Sequence, residues 1–153
     1  MLGIRCQVSE SCLFCRIASG ELTVEKAIET EKTIGVLNTL EPFARGHVVF
    51  FPKQHAVTIR HLPDDYLADM LPAIMRVATA LGLENYNILS NNGAVAGQTV
   101  FHAHFHLIPK WSEEEGLVYR REPKQGLDHS EMRERLRRAN LAGHKPGRLD
   151  GGG

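Results

Sequence analysis

The sequence predicts one α+β domain built on a mostly antiparallel sheet, and three observations carry that reading. Five short runs with strand character are set off by turn residues. A single long amphipathic stretch separates the first three from the last two. No internal repeat and no linker divides the chain. At 153 residues one domain can remove about two-thirds of its unfolded surface from water.

Taken in order, residues 1–11 read as a loose arm. Residues 13–18 have the apolar spacing of one or two helical turns, which Ser19-Gly20 stops. Residues 26–29 and 33–37 read as a hairpin turning through Thr30-Glu31-Lys32. After a loop at 42–46, HVVFF at 47–51 is the strongest β-branched and aromatic run and is ended by Pro52, which predicts an interior strand. From 64 to 81, Leu67, Met70, Leu71, Ile74, Val77, Ala78 and Leu81 follow helical periodicity, with Pro72 expected to kink the helix and Met70 and Met75 read as core filler. Residues 86–90 form the next strand, Asn91-Asn92-Gly93 a turn, and a histidine-bearing strand begins near residue 100. Met132 and Leu136 suit a short helix begun near Asp128, and the tail from Gly143 is expected to be disordered. The division predicted is an arm at 1–11, a domain at 12–112 and an extension at 113–153.

Acidic and basic residues balance at 18 each, so no strong field draws the chain to nucleic acid or an anionic membrane. From Gly116 onward nine basic residues meet five acidic ones, a solvated face with no partner assigned. No apolar run reaches membrane-spanning length and the first residues lack a secretory core, which predicts a cytoplasmic protein. Three cysteines, Cys6, Cys12 and Cys15, do not suit a disulfide framework. The C-x-x-C pair at 12 and 15 points to metal or redox chemistry without deciding between them.

The segment GQTVFHAHFHLIP, from Gly97 to Pro109, sets His102, His104 and His106 on alternate residues. On an extended strand that spacing turns three imidazoles to one face and Phe101, Ala103, Phe105 and Leu107 to the other. Just upstream, Gly93 and Gly97 permit close backbone approach to an anion, and Gln98 and Thr99 add side-chain donors. This is not a Walker loop, since the lysine and the helix after it are missing. A neutral imidazole titrates near about pH 6.5 and attacks phosphorus without a separate base. Charge developing on phosphoryl oxygens and the leaving group needs donors, which neighbouring imidazoles supply. His47, at the head of the 47–51 run, is expected beside them. His61, His129 and His144 read as solvent-exposed, and Trp111 as a packing or dimer contact.

The run His102-Ala103-His104-Phe105-His106-Leu107-Ile108 matches the alternating signature of the histidine triad (HIT) superfamily. Cys12-Leu13-Phe14-Cys15, Gly46-His47, Pro52-Lys53-Gln54-His55, Asn91-Asn92-Gly93 and Gly97-Gln98-Thr99 stand in the family's order. The resemblance covers residues 12–110 and is closest to the bacterial and Hint-like nucleotide hydrolases. The nucleotidyltransferase branch carries H-P-H-P-Q, against which Ala103 and Phe105 argue. The resemblance implies a five-stranded antiparallel sheet with one long and one short helix, paired as a homodimer. It also implies cleavage at the α-phosphorus of nucleoside phosphoramidates, nucleotidylated amines or dinucleoside polyphosphates. His104 would be the nucleophile and would become nucleotidylated, with His106 and His47 assisting. Asn91, Gly97, Gln98 and Thr99 would hold phosphate and ribose, while Leu13, Phe14, Ile17, Leu37 and Leu40 would sandwich the base. Thr39 stands where the family often has a ribose-binding Asp, with Asn38 as the neighbouring substitute. Cys12, Cys15, His55 and His102 would hold a structural zinc ion whose four ligands leave no open position. No organic cofactor is expected.

Two other readings compete with the hydrolase. One is a nucleotide-binding or regulatory module with negligible turnover, for which Thr39 is the sequence support. The other is a redox role for the C-x-x-C pair, weakened because no βαβ pattern surrounds it.

Overall fold

The computed structural model describes residues 12–139. The N-terminal arm, Cys6, His144 and the glycine tail lie outside them. Five strands form one sheet in the order β1-β2-β3-β5-β4, every neighbouring pair antiparallel. The strands are β1 (Lys26–Glu29), β2 (Thr33–Leu37), β3 (Val48–Pro52), β4 (Tyr86–Leu89) and β5 (Phe105–Pro109). Helix α1 (Leu13–Ala18) precedes them, and α2 (Asp64–Ala80) separates β3 from β4.

The central strand is β3, and all five of its residues are buried, as its unbroken apolar run requires of a strand covered on both faces. Alternation divides it. Val48 and Phe50 join Leu107 and the inward face of α2 (Met70, Ile74, Val77, Ala78), while Val49 and Phe51 join Ile34 and the α1 residues Phe14 and Ile17. The same period brings Gly35 of β2 so close to Phe50 and Ile28 that a Cβ there would lie 2.8–2.9 Å from their side-chain carbons. The β1–β2 turn is tied by the Thr30 hydroxyl, which accepts from the Thr33 N–H at 2.9 Å and donates to Asp69 at 2.5 Å.

Helix α2 contains Pro72 within its 17 residues. It buries one stripe only: Met75 is 40 % and Leu71 51 % exposed. Met75 is therefore not the core filler expected of it, because it lies one residue beyond Ile74 and on a helix i and i+1 face different ways.

The histidine strand also begins later than expected, at Phe105. The β3–β5 register pairs Phe50 with Phe105, so two residues further on it would set Pro52 opposite Ala103. Pro52 has no N–H to offer, its carbonyl accepts from His102 Nε2 (3.0 Å), and the Ala103 N–H goes instead to the Ala56 carbonyl (2.6 Å). The ladder ends there. Phe101, which the alternation grouped with Ala103 and Leu107, is 53 % exposed.

The described residues divide into a compact unit ending at Tyr119 and another beginning at Arg120. Within the first, Glu115 and Gly116 bond back to Arg45 and Phe43. In the second, α3 (Ser130–Arg138) starts where Asp128 accepts from the Ser130 N–H at 2.8 Å, and it buries none of its own residues.

Candidate active site

His47, His104 and His106 meet where β3, β5 and the backbone leading into β5 come together, and their partners fix which nitrogen carries each proton. The His104 Nδ1 lies 2.7 Å from the His102 carbonyl. A carbonyl can only accept, so Nδ1 donates and Nε2 keeps its lone pair. The Phe43 backbone N–H donates to His47 Nδ1 at 3.2 Å, and Asn38 Nδ2 lies 3.3 Å from the same nitrogen. With Nδ1 accepting, the His47 proton sits on Nε2 and is donated to His106 Nδ1 at 2.9 Å. His106 therefore carries its own proton on Nε2. The His104 and His106 rings stand edge to face, 5.0 Å apart. The result is a bare nitrogen on one ring beside a donor ring.

Burial reinforces the neutral state of His47, which is 1 % exposed, and of His106. Desolvation, followed by the neighbouring His104 and His47 charges, lowers the His106 pKa to about 4. Desolvation lowers that of His47 as well.

His102 leaves the other two. Its Nε2 donates to Pro52, so the lone pair on Nδ1 faces Cys12 Sγ at 3.4 Å, Cys15 Sγ at 3.6 Å and His55 Nδ1 at 3.2 Å. Cys15 Sγ is also 3.3 Å from His55 Nδ1. Tetrahedral coordination at about 2.0–2.1 Å for nitrogen and about 2.3 Å for sulfur sets ligand edges of about 3.3–3.8 Å, which these separations match. Cys12, Cys15, His55 and His102 could thus hold a metal ion, all four ligand atoms lying within 4.8 Å of one another. The Pro52 carbonyl would orient the His102 ring from behind. Between the two cysteines, Phe14 stacks on Phe51 (4.3 Å) and sets its edge against both His102 (5.6 Å) and His104 (5.5 Å).

The remaining candidates separate into lining and scaffold. Asn91 donates to the Gly97 carbonyl at 3.2 Å, across a loop that needs Gly93 and Gly97 at φ +93° and +85°. Gln98, expected to offer donors to an anion, is buried and turned inward. Its carbonyl oxygen accepts from the Gly93 N–H (2.7 Å) and its amide donates to the Val57 and Val100 carbonyls (2.6 and 3.0 Å). Thr99 stays exposed. Phe14 and Ile17 are core residues at 7 % and 4 % exposure, whereas Leu13, Leu37 and Leu40 are open at 42 %, 47 % and 89 %. Thr39 is exposed. Asn38 is occupied with the Glu41 backbone and His47, which removes it as a substitute ribose ligand. Sequence reasoning missed the Phe43 N–H, because a backbone donor leaves no mark in residue identity. Trp111 packs against Arg45, its Nε1–H donating to the Arg45 carbonyl at 2.8 Å.

Comparison with known proteins identifies the family. A HIT domain model matches residues 20–113. The adenosine 5'-monophosphoramidase of Candida albicans is 45% identical over 115 residues, 70% of this chain and 75% of that one. Among solved structures, a histidine triad nucleotide-binding protein from Candida albicans superposes with a TM-score of 0.74 at 38% identity, over 85% of this chain and 95% of that one. A zinc-bound histidine triad family protein from Mycobacterium smegmatis superposes at 0.65 with 37% identity, over 88% and 96%. Matched along its whole sheet, with the histidine signature inside the matched span, the chain belongs to the HIT domain family.

Proposed function

We propose that this chain is a nucleotide hydrolase that cleaves at the α-phosphorus of nucleoside phosphoramidates through a covalent nucleotidyl intermediate on His104. The observation that carries the reading is the tautomer arrangement: His104 holds Nδ1–H against a carbonyl and presents a free Nε2 beside the Nε2–H donor of His106. In the first step His104 Nε2 attacks phosphorus and the P–N bond breaks, its electron pair leaving with nitrogen. Water then attacks the nucleotidyl-histidine, the bond to His104 Nε2 breaks, and the ring returns neutral while the water proton passes to solvent.

The arrangement favours a leaving group that brings its own proton. An acidic His106 would need a proton on Nδ1 as well, where His47 already donates, so His106 acts as a hydrogen-bond donor to the phosphoryl group and not as a strong acid. An amine departing from an N-protonated phosphoramidate needs no enzyme acid; the phosphate leaving group of a dinucleoside polyphosphate has no such proton. The curated relatives named adenosine 5'-monophosphoramidases support the same substrate class. Thr99 and Gly97 would hold the phosphate, and Leu13, Leu37 and Leu40 would hold the base over Phe14 and Ile17. Zinc on Cys12, Cys15, His55 and His102 would cross-link α1 to the backbone behind His104 without entering the reaction. The working form would be a homodimer.

Turnover of a fluorogenic adenosine phosphoramidate tests the reading. Wild-type protein should accumulate a nucleotidyl adduct by intact-mass spectrometry, and His104→Ala should lose both adduct and turnover. Wild type no faster than His104→Ala overturns it; nucleotide binding by calorimetry without adduct or turnover would instead favour a regulatory binding module, consistent with Thr39 lacking a carboxylate.

A further inference from the structure

The loop after β5 closes over the loop before β3. Glu115 takes three donors from Arg45: the backbone N–H (3.0 Å), Nε to Oε1 (2.9 Å) and a terminal guanidinium nitrogen to Oε2 (3.1 Å). Trp111 donates its indole N–H to the Arg45 carbonyl (2.8 Å), and the guanidinium carbon sits 5.9 Å from the indole ring centroid. The Gly116 N–H donates to the Phe43 carbonyl (3.0 Å). Only glycine suits that last position, since at φ +123° a Cβ would lie 2.7 Å from the Pro109 carbonyl oxygen. The loop thus holds Phe43 by its backbone carbonyl and Arg45 by both backbone and side chain.

The gripped loop bears on the chemistry through one bond. Phe43 gives its N–H to His47 Nδ1, and its ring lies on the His47 ring at 5.6 Å. That N–H is what compels His47 to keep its proton on Nε2 and so leaves His106 with a proton on its own Nε2. Were Phe43 to drift, His47 could move its proton to Nδ1, where Asn38 Oδ1 could swing to accept it by an amide flip. His47 Nε2 would then become an acceptor, His106 would turn its proton back onto Nδ1, and the donor beside His104 would vanish.

The geometry points to Glu115, Arg45 and Trp111 as a positioning clasp for the phosphoryl-transfer step, holding Phe43 so that the His47–His106 pair stays in its working tautomer. The inference rests on the hydrolase reading above for its kinetic consequence and on the bonds alone for the tautomers. A bidentate, backbone-backed Arg–carboxylate pair is the form of surface ion pair that fixes geometry, even where exposure makes its contribution to stability small.

The test compares wild type, Glu115→Ala, Trp111→Phe and Glu131→Gln, the last removing a carboxylate from an exposed ion pair in α3. Two readouts are taken: ¹⁵N correlation spectra that assign the tautomers of His47 and His106, and steady-state kinetics on the adenosine phosphoramidate. Wild type should show both rings as Nε2–H. Glu115→Ala should shift both rings toward Nδ1–H and lower kcat about tenfold, a fraction of what a full proton-transfer partner supplies, with KM little changed. Trp111→Phe should do the same more weakly, and Glu131→Gln neither. Wild-type tautomers and kcat in Glu115→Ala would overturn the clasp, as would a kcat loss without a tautomer change. If wild type itself does not turn over, the hydrolase reading fails while the spectra alone decide whether the clasp sets the tautomers.

Discussion

At the scale of single residues, burial holds the His47 and His106 imidazoles neutral, and that has a cost in acid. The folded His106 titrates at about 4 against about 6.5 in an unfolded chain. Between those values the unfolded state binds the extra proton, so the group's contribution to stability is complete above about pH 6.5 and is lost as pH falls toward 4. His47, lowered by the same burial, acts in the same direction. His106→Asn removes one such group. Unfolding free energies from urea titrations between pH 7.5 and 4.5 should therefore fall less steeply in the variant, by at most about 1.4 kcal/mol per pH unit; equal slopes would mean that His106 titrates alike in the folded and unfolded chains. The histidines and cysteines were legible in the sequence because period two and the C-x-x-C spacing are properties of residue order. Gln98, Asn38 and Phe14 were not, since what their side chains meet depends on loops and a helix far away in the chain.

Among the elements, α1 depends most on its surroundings. Six residues are too few to be helical alone, so Phe14 and Ile17 in the core and Cys12 and Cys15 at the ligand cluster must hold it. That cluster also backs His104, through the His102 carbonyl and the Phe14 edge. Purified protein is expected to carry one zinc per chain by elemental analysis. Stripping it with a chelator should lower Tm by about 10 °C, the shift expected of about 4 kcal/mol when free metal stands 1,000-fold over Kd, and should raise amide exchange across 13–18. No bound metal, or an unchanged Tm, would return the cysteines to ordinary thiols. Strand and helix identities were readable from pattern, down to the Thr30-Glu31-Lys32 turn. The start of β5 was not, because what ends its ladder is Pro52 on another strand.

For the whole molecule, the sheet leaves β4 as an edge that pairs only with β5, and an edge strand invites another chain unless something covers it. Next to this edge α2 turns outward the apolar residues that its inward stripe cannot use. Leu71 and Met75 are exposed at 51 % and 40 %, Ile88 of β4 at 39 %, and the Tyr86 hydroxyl reaches Met75 Sδ at 3.7 Å, which joins helix and strand into one surface. A second copy meeting that surface would pair β4 with β4 and bury Met75 against its counterpart, an isologous contact that closes at two chains. Light scattering coupled to size exclusion should then give twice the 17.1 kDa chain mass for wild type and the single-chain mass for Met75→Glu, because a carboxylate desolvated opposite its own copy has no partner. The histidine pair and the Glu115 clasp both lie within one chain, so Met75→Glu should keep the His47 and His106 tautomers of wild type even as it halves the mass. A wild-type protein that runs as a single chain would assign this apolar surface to some other contact and leave the active-site argument as it stands.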